Sequence, residues 1–598
     1  MNEIKIHRNN LNDMIHDYYM SYHLHQNINR DIKIGECGHY EYIWSDELRE
    51  MVYQLNYQLV RVQSQNQLDI LTSKYNRILA CLYYHKNKPL RNELLITLYK
   101  LIGYTRDIIS GKGEYMLTYM MILSWYHYFP DCAKYALYCC VISDINSNIY
   151  RNEHAYGSWK DIKYFCDYCR NITSNPNHPL ILHAIKLINE QVRIDYTRKK
   201  SVSLAAKWIP NEKSKKFAWL YKKMAQDYFA SYFVNCSTSD SRYAANNKAY
   251  MNYRKICSDL NKLLDTPQIK QCNGEWQNIN VSLLTSATWM KQRKALLNIS
   301  TNKQSNDKVV NNNLMRHICS ENCKTYINNI KNNKNGSLPG KSLGIEHFTK
   351  QAMNILKNPS QTEMDILNLQ WEDYIKSLGK LDDVLCILDV SMKDDGLYAS
   401  IAIACSIVCR SPANKRILAF SDYPVWINLD SMNTFTEMVT EILNNIVLNT
   451  HSNFYSTIDR ILYVCIENNL EPSLIESMTI VILSDMQIDP PHTIHNTPVC
   501  DVIKKMYKNA GLLNNQSYEI PHILFWNVRS TDGFPCLFNN KNISMVSGFN
   551  PNILNIYCKH KPETDKILCN PWTAFLPQLS NNRYDILECF GKKHISLE

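Results

Sequence analysis

The sequence predicts an α plus α/β protein, in which an N-terminal α-helical repeat domain is followed by a doubly wound α/β domain. Three observations predict this class. Apolar residues recur every three or four positions through the first half of the chain, and short apolar runs alternate with helical patterns after about residue 380. An acidic loop with hydroxyl groups follows the first of those apolar runs.

The first half of the chain is predicted to form helices joined by short corners. One apolar face between Tyr53 and Ile109 is formed by Leu90, Leu94, Leu95, Leu98, Leu101 and Ile102. The helix predicted at Tyr115–Phe129 ends before Pro130, and another follows at Cys132–Val141. Helix pairs that alternate with corners are typical of a stacked α-solenoid, although no strict repeat length is present.

The stretch Gly111-Lys112-Gly113-Glu114 has the composition of a phosphate-binding loop but not its spacing. That motif ends in Gly-Lys-Ser/Thr, whereas Gly113 follows the lysine here. We therefore expect a helix–helix corner, with Glu114 in the first turn of the next helix.

Strand and helix patterns alternate in the last third of the chain, which predicts a mainly parallel sheet. After the first strand, within residues 381–391, the predicted strands are 416–421, 479–483, 522–528 and 543–547. The predicted helices between them are 399–408, 434–447, 456–468 and 499–510.

The first strand ends in Asp389 and Ser391, and the strand at 479–483 is followed by Asp485. Open α/β sheets bind ligands at the carboxyl ends of their strands, and oxygen atoms are the ligands that a hard divalent cation needs. The sequence is equally compatible with a scaffold without metal, in which both acids only cap helices.

Asp389-x-Ser391 resembles the first metal-ion-dependent adhesion loop of von Willebrand factor A (vWA) domains, whose pattern is Asp-x-Ser-x-Ser. The resemblance implies Mg²⁺ or Mn²⁺ held by Asp389, Ser391, Ser452 and Asp485, with Ser452 where the family usually has threonine. Lys393 replaces the second serine, and its ammonium group cannot ligate a metal. We expect Lys393 to turn inward and pair with both acids. In the alternative it turns outward and leaves a degenerate site that still holds a cation.

Composition predicts a globular, cytoplasmic protein. Hydrophobic residues make up 45% of the chain and charged residues 20%. The first ten residues do not have the pattern of a secretory signal, and no segment is apolar enough to span a membrane. The 21 cysteines are scattered through apolar runs, which is typical of reduced, buried thiols.

Positive charge is concentrated in the middle of the chain. Residues 151–350 contain 32 lysines and arginines against 14 acidic residues, an excess of 18, whereas residues 351–598 carry an excess of eight negative charges. Aromatic residues alternate with the lysines, which indicates RNA as a partner. The candidate RNA-binding residues are Arg198, Lys199, Lys200, Lys207, Lys213, Lys215, Lys216, Lys222 and Lys223. In the alternative, Trp208 and Trp219 are core residues and the lysines are only solvated.

The order of further motifs resembles TROVE/Ro-type ribonucleoproteins, in particular a branch found in plants, fungi and giant viruses. These motifs are Arg106-Asp107, Gly157-Ser158-Trp159-Lys160-Asp161, Ser203–Pro210, Tyr253-Arg254-Lys255, Trp276, Gln370-Trp371, Leu483–Met486, Phe525–Arg529 and Met545–Phe549. The resemblance implies a helical extension at 1–80, a HEAT-like TROVE domain at 81–365 with an Asn-rich insertion at about 298–337, and a vWA-like domain at 366–598.

The sequence contains no nucleophile elbow, zinc-protease motif or dinucleotide-binding motif, so we do not expect an enzyme. The function we expect is non-catalytic RNA binding as part of a ribonucleoprotein. The alternative is a protein-interaction scaffold that works through the vWA-like loop without RNA.

Overall fold

The computed structural model describes residues 32–143, 154–299, 313–332, 337–381, 384–411, 415–420, 423–447, 453–490, 497–554 and 571–595. All structural statements below concern these residues. Ser452 and residues 300–312 of the Asn-rich insertion lie outside them.

The N-terminal part is rich in helix, as the apolar spacing predicts. A hairpin of strands β1 (Ile32–Ile34) and β2 (Tyr40–Tyr42) precedes the helices. The helices are α1 (Leu48–Gln58), α2 (Gln65–Tyr83), α3 (Lys88–Arg106), α4 (Tyr115–Tyr128), α5 (Pro130–Val141), α6 (Lys160–Thr173), α7 (Pro179–Arg198), α8 (Ala205–Trp208), α9 (Ala218–Tyr228), α10 (Ser239–Leu264), α11 (Pro267–Cys272), α12 (Ser286–Leu296) and α13 (Leu314–Asn332). None of the helices in the described ranges is both long and apolar enough to cross a membrane.

Local sequence signals fix where several of these helices begin. Helix α2 starts with a capping box, in which the Ser64 side chain accepts a hydrogen bond from the Gln67 amide and the Gln67 side chain bonds back. Pro130 occupies the first position of α5 and separates it from α4, as predicted. Helices α3, α4 and α5 then pack side by side, as do α6 and α7.

The C-terminal part contains the predicted alternation of strands and helices. Its elements are α14 (Ile345–Lys357), α15 (Gln361–Lys376), β3 (Val384–Asp389), α16 (Asp394–Arg410), β4 (Arg416–Phe420), β5 (Val425–Asn428), α17 (Phe435–Asn445), α18 (Phe454–Glu467), α19 (Pro472–Ser477), β6 (Thr479–Ser484), α20 (Val499–Leu513), β7 (His522–Asn527), β8 (Ile543–Ser547), α21 (Pro571–Leu579) and α22 (Asp585–Ile595). The five predicted strands are confirmed. The short edge strand β5 was not predicted.

The sheet has the strand order β5-β4-β3-β6-β7-β8. All neighbouring pairs are parallel except β4 with β5. From β3 the chain goes first to β4 on one side and later to β6 on the other, so the strand order reverses between β3 and β6. This switch point is where a crevice forms in open α/β sheets, and Asp389 and Asp485 lie there. A helix-rich part followed by an α/β part confirms the predicted class at that level.

Alternating side chains of the sheet enter two different apolar cores. Ile387 of β3 and Ile482 of β6 belong to a core that also contains residues of the N-terminal helices. Leu388 and Leu483 point to the opposite face and pack with residues of α14–α17. Both faces of the sheet are therefore covered, which accounts for strands that are apolar almost throughout.

The predicted domain boundary at residue 365 falls inside α15, and the packing crosses it. Helix α14, which lies before this boundary, packs closely against α16. At the other end of the chain, α22 packs against α3. The last two helices therefore lie with the N-terminal helices, although they follow the sheet in sequence.

Helix α1 is joined to the edge strand β8 by polar contacts inside the core. The Tyr53 hydroxyl accepts from the Met545 amide at 2.7 Å and donates to the Met545 carbonyl at 3.0 Å. Lys112 Nζ is fully buried and donates to Asn56 O, Leu59 O and Ser547 Oγ. Burial holds the pKa of Lys112 well below its usual value. The glycine–lysine–glycine stretch is thus a helix–helix corner, as expected, but Glu114 is the N-cap residue of α4 and not part of its first turn.

The motif Gly157-Ser158-Trp159-Lys160-Asp161 builds a buried corner. Asp161 receives two hydrogen bonds from the Arg106 guanidinium, at 2.9 and 2.8 Å, and one from the Tyr119 hydroxyl. The Ser158 amide also donates to this carboxylate. A Cβ at Gly157 would lie 2.3 Å from Asp161 Oδ2, so the ion pair leaves room only for glycine.

Candidate functional site

The acidic loop at the end of β3 is closed by hydroxyl groups. Asp389 is fully buried, and its Oδ1 accepts hydrogen bonds from the Ser391 amide at 3.0 Å and the Ser391 hydroxyl at 2.6 Å. Its Oδ2 accepts from the Ser484 hydroxyl at 2.7 Å. The two serines thus satisfy both oxygens of this carboxylate from two neighbouring strands.

A second carboxylate lies near the first. Burial, and then the charge of Asp485, raise the pKa of Asp389 to about 7 despite the serine hydrogen bonds. Burial also raises the pKa of Asp485, while Arg529 opposes that shift. Met486, the next residue, has a φ of 60°, which is uncommon for a residue other than glycine. The sheet therefore brings Asp389, Ser391 and Asp485 to the same edge, and the metal binding expected of them stays a prediction.

Lys393 does not take the inward position that we expected. It is the N-cap residue of α16, with an extended backbone, and its side chain is exposed. The cation beside the acid pair is Arg529 instead, whose Nε lies 3.1 Å from Asp485 Oδ2. The reason is geometric, because Arg529 follows the end of β7 and β7 is the direct neighbour of β6.

Sequence analysis missed both Ser484 and Arg529 as members of this site. A signal for each was present, since Ser484 is the last residue of a predicted strand and Arg529 follows another. The carboxyl ends of parallel strands meet at one edge of the sheet. The side chains directly after each strand could therefore have been proposed as one group of candidate site residues. The strand order, which decides which of them are neighbours, was unknown.

A second candidate site is a row of cations along α6. Lys160, Lys163, Asp167 and Arg170 are spaced by three, four and three residues, so they share one face of this helix. Asp167 lies within ion-pair distance of Arg170, at 3.4 Å, and of Lys216, at 2.9 Å.

Lysines from outside α6 extend this row. Lys223 donates to Asn177 in the connection between α6 and α7. We call Lys160, Lys163, Arg170, Lys216 and Lys223 the basic stripe. Its length is set by α6, about 20 Å for its 14 residues.

Aromatic rings lie under the cations of the basic stripe. Lys163 Nζ is 4.9 Å from the centre of the Tyr164 ring, 5.5 Å from that of Trp208 and 5.1 Å from that of Phe217. Arg170 stacks on Trp219 at 4.4 Å. Trp208, Phe217 and Trp219 are half-buried, and Trp219 packs against the helical core. The alternative that both tryptophans are core residues therefore holds for Trp219 only. Trp208 lines a surface cleft of 240 Å³.

The lysines at the start of α6 are electrostatically crowded. Partial burial, then the neighbouring Lys291, lower the pKa of Lys160. Partial burial and Lys160 lower the pKa of Lys163. Lys207, next to Trp208, also has a lowered pKa because of partial burial. Burial is the main cause of each shift, and repulsion from a neighbouring lysine adds to it for Lys160 and Lys163.

The structure places most of the predicted RNA-binding residues on the surface around α6. Arg198, Lys199 and Lys200 end α7, and α6 and α7 form a pair joined by a short connection, so they lie at the Lys160 end. The exposed residues of the set are Arg198, Lys199, Lys200, Lys207, Lys213, Lys215, Lys216 and Lys222, and Lys223 is half-buried. Sequence analysis missed Lys160, Lys163 and Arg170, although their helical spacing was visible.

The α/β part of the chain matches one family model. Residues 384–569 match the family described as "Domain of unknown function (DUF7788)". The match begins at the first residue of β3 and contains Asp389, Asp485 and Arg529. The basic stripe lies outside it. Comparison with curated proteins gives no match.

Proposed function

We propose that this protein binds RNA without catalysing a reaction, as a cytoplasmic, ribonucleoprotein-like protein with a TROVE-like helical domain and a vWA-like domain. The observation that carries the proposal is the start of α6. There Lys160 and Lys163 both lie within 6 Å of the Trp208 ring centre, at 5.9 and 5.5 Å, and partial burial, with a smaller contribution from Lys160, lowers the pKa of Lys163.

Nucleic acid fits this arrangement better than a simple anion does. The lysines supply charge to neutralise phosphates, and the Trp208 and Phe217 rings offer flat faces for bases. Only unpaired bases can stack on protein side chains, so we expect single-stranded segments to bind more tightly than a continuous duplex. The local excess of 18 positive charges in residues 151–350 supports the same partner.

The test is fluorescence anisotropy of a labelled single-stranded RNA of about 20 nucleotides, longer than the strand that one such surface covers. If the five cations of the stripe each neutralise one phosphate, the slope of log affinity against log salt should be about −3.5. Lys160→Glu with Lys163→Glu should weaken binding at every sequence and make that slope shallower by about 1.4.

A matched control changes the net charge equally at a distance from α6. Lys324→Glu with Lys592→Glu alters two exposed lysines, on α13 and α22, whose acidic neighbours are on their own helices. This control should bind RNA nearly as the wild type does. The proposal fails if the wild type binds no RNA at low salt, or if the two double variants lose affinity equally.

The alternative, a protein-interaction scaffold that acts through the acidic loop, predicts a different response. Binding that depends on a bridging metal ion is abolished by a chelator and depends less on salt. RNA binding along the basic stripe should be unchanged by EDTA at constant ionic strength.

A further inference from the structure

The vWA resemblance implies a divalent cation at the acidic loop, and the donor set can be compared with that requirement. Mg²⁺ and Mn²⁺ need carboxylate, hydroxyl and water oxygens arranged around one point. Asp389, Ser391 and Asp485 supply such oxygens. However, a guanidinium lies against Asp485, and Lys393 stands where a further hydroxyl is required. These residues do not fit a divalent ion as the resident cation.

We propose that Arg529 is the resident cation of this loop, and that it binds a carboxylate supplied by Glu36 of the chain's own N-terminal hairpin. Its Nε lies 3.1 Å from Asp485 Oδ2, which is an ion-pair contact without an aligned hydrogen bond. Its Nη2 donates to Glu36 Oε2 at 3.0 Å. A guanidinium keeps its charge at all working pH values and presents donors in a fixed plane, so one arginine can hold two carboxylates.

A third side chain, that of Gln487, can form hydrogen bonds with both Arg529 and Glu36. The Gln487 amide can be oriented so that its oxygen accepts from Arg529 Nη2 at 2.8 Å and its nitrogen donates to Glu36 Oε2 at 3.2 Å. Gln487 belongs to the same turn as Asp485, because its own amide donates to Asp485 Oδ1 at 3.3 Å. The turn after β6 thus contacts the arginine and the carboxylate together.

The hairpin is held in place by contacts that do not involve Arg529. Tyr42 exchanges two backbone hydrogen bonds with Phe534, at 2.9 and 3.1 Å, and its hydroxyl donates to Asp501. Lys33 pairs with Asp532 at 3.0 Å. Glu36 lies in the turn between β1 and β2. The contacts that anchor the hairpin therefore also hold Glu36 near the end of β7.

The position of Arg529 is fixed equally well. Its backbone amide donates to Asn527 Oδ1 at 2.9 Å, and Asn527 is a fully buried residue at the end of β7. Both partners of the Glu36–Arg529 pair are thus placed by neighbouring structure before they meet. A carboxylate from outside would have to displace Glu36 to reach the guanidinium.

Manganese binding to the full-length chain tests the resident cation, with electron paramagnetic resonance reporting free Mn²⁺. The wild type and Arg529→Lys should leave micromolar Mn²⁺ free. Arg529→Ser removes the guanidinium from the Asp485 carboxylate, so it should bind Mn²⁺ at least about tenfold more tightly than the wild type does. Asp485→Asn added to Arg529→Ser should abolish that gain.

Arg49→Ser is the matched control, since Arg49 belongs to an exposed ion pair with Glu93. It should behave as the wild type. Micromolar Mn²⁺ binding by the wild type overturns the proposal, as does a folded Arg529→Ser variant that binds no more tightly.

Hydrogen exchange of the hairpin tests the Glu36 contact and does not depend on the folding of Arg529→Ser. Glu36→Gln should raise the exchange rate of the Gly35 and Gly38 amides, which close the turn that carries Glu36. Glu47→Gln, at the exposed N-cap of α1, is the control and should leave these amides unchanged. Equal exchange in Glu36→Gln and the wild type would show that the carboxylate is not bound.

Discussion

Arg583 and Asp107 are 476 residues apart in the sequence and form a buried bidentate ion pair. Arg583 Nε lies 2.7 Å from Asp107 Oδ2, and its Nη2 lies 3.0 Å from Oδ1. The Tyr584 hydroxyl donates to the same carboxylate at 3.1 Å, and so does the Ile109 amide at 3.0 Å. This cluster joins the last helices of the chain to the corner after α3.

Asp107→Ala should lower the free energy of unfolding by about 3–5 kcal/mol, because it removes the bidentate carboxylate partner of the buried Arg583. Thermal and urea unfolding of the full chain measure this loss. Glu93→Ala removes the partner of Arg49 in an exposed ion pair and should cost less than about 1 kcal/mol. Equal losses in the two variants would show that the Asp107 cluster adds nothing beyond a surface pair.

Cutting the chain at residue 365 should not give two independent folding units. A fragment of residues 365–598 retains the sheet but lacks α1, which packs against β8, and α3, which packs against α22. Both fragments then expose apolar surface and should aggregate when expressed alone. Expressed together they should co-purify and unfold in one transition. A soluble, cooperatively folded 365–598 fragment would contradict this prediction.

The sequence predicted the sheet well because five of its strands are short, apolar and followed by loops, which is a local pattern. It could not predict that α21 and α22 return to α3, since that contact depends on pairs such as Arg583 with Asp107. The residues of each such pair are hundreds of positions apart, and the local sequence around one residue carries no information about its partner. The edge strand β5 was missed because it has four residues, of which only Ile427 is buried.

The two candidate sites show the same limit. Asp389 and Asp485 were predicted because each follows an apolar strand, and Lys393 was chosen as the site's cation because it is near Asp389 in sequence. The structure puts Arg529 beside Asp485 because β7 adjoins β6, a fact of strand order. In the basic stripe, Lys216 reaches Asp167 and Lys223 reaches Asn177 only through the packing of α9 and its preceding loop against α6 and α7.

Trp208→Ala should weaken binding of single-stranded RNA by about 1–3 kcal/mol, the range for one stacked base. Trp208→Phe keeps an aromatic face and should retain most of the affinity. The measurement is the same anisotropy titration, at one fixed salt concentration. Tyr463→Ala, which removes an exposed aromatic ring of α18, is the control and should bind as the wild type does. If Trp208→Ala and Trp208→Phe bind equally, the ring does not stack on a base.

Asp389→Asn should change how stability depends on pH. The usual pKa of this carboxyl is 3.8, and burial raises it to about 7 in the folded protein. Between these values the folded state binds a proton that the unfolded state releases, so the free energy of unfolding falls as pH rises. The free energy of unfolding decreases progressively between about pH 4 and about pH 7. The total decrease is on the order of 4 kcal/mol.

Asparagine cannot ionise, so Asp389→Asn should gain stability relative to the wild type across this interval and hold a constant difference above it. Urea unfolding of both proteins at several pH values measures the difference, in which other titrating groups largely cancel. Asp430→Asn, at an exposed position, is the control and should give a difference that stays nearly flat. A flat difference for Asp389→Asn as well would mean that Asp389 is ionised in the folded protein throughout the interval. In that case a cation near it, such as Arg529, would have to compensate its burial more strongly than the geometry indicates.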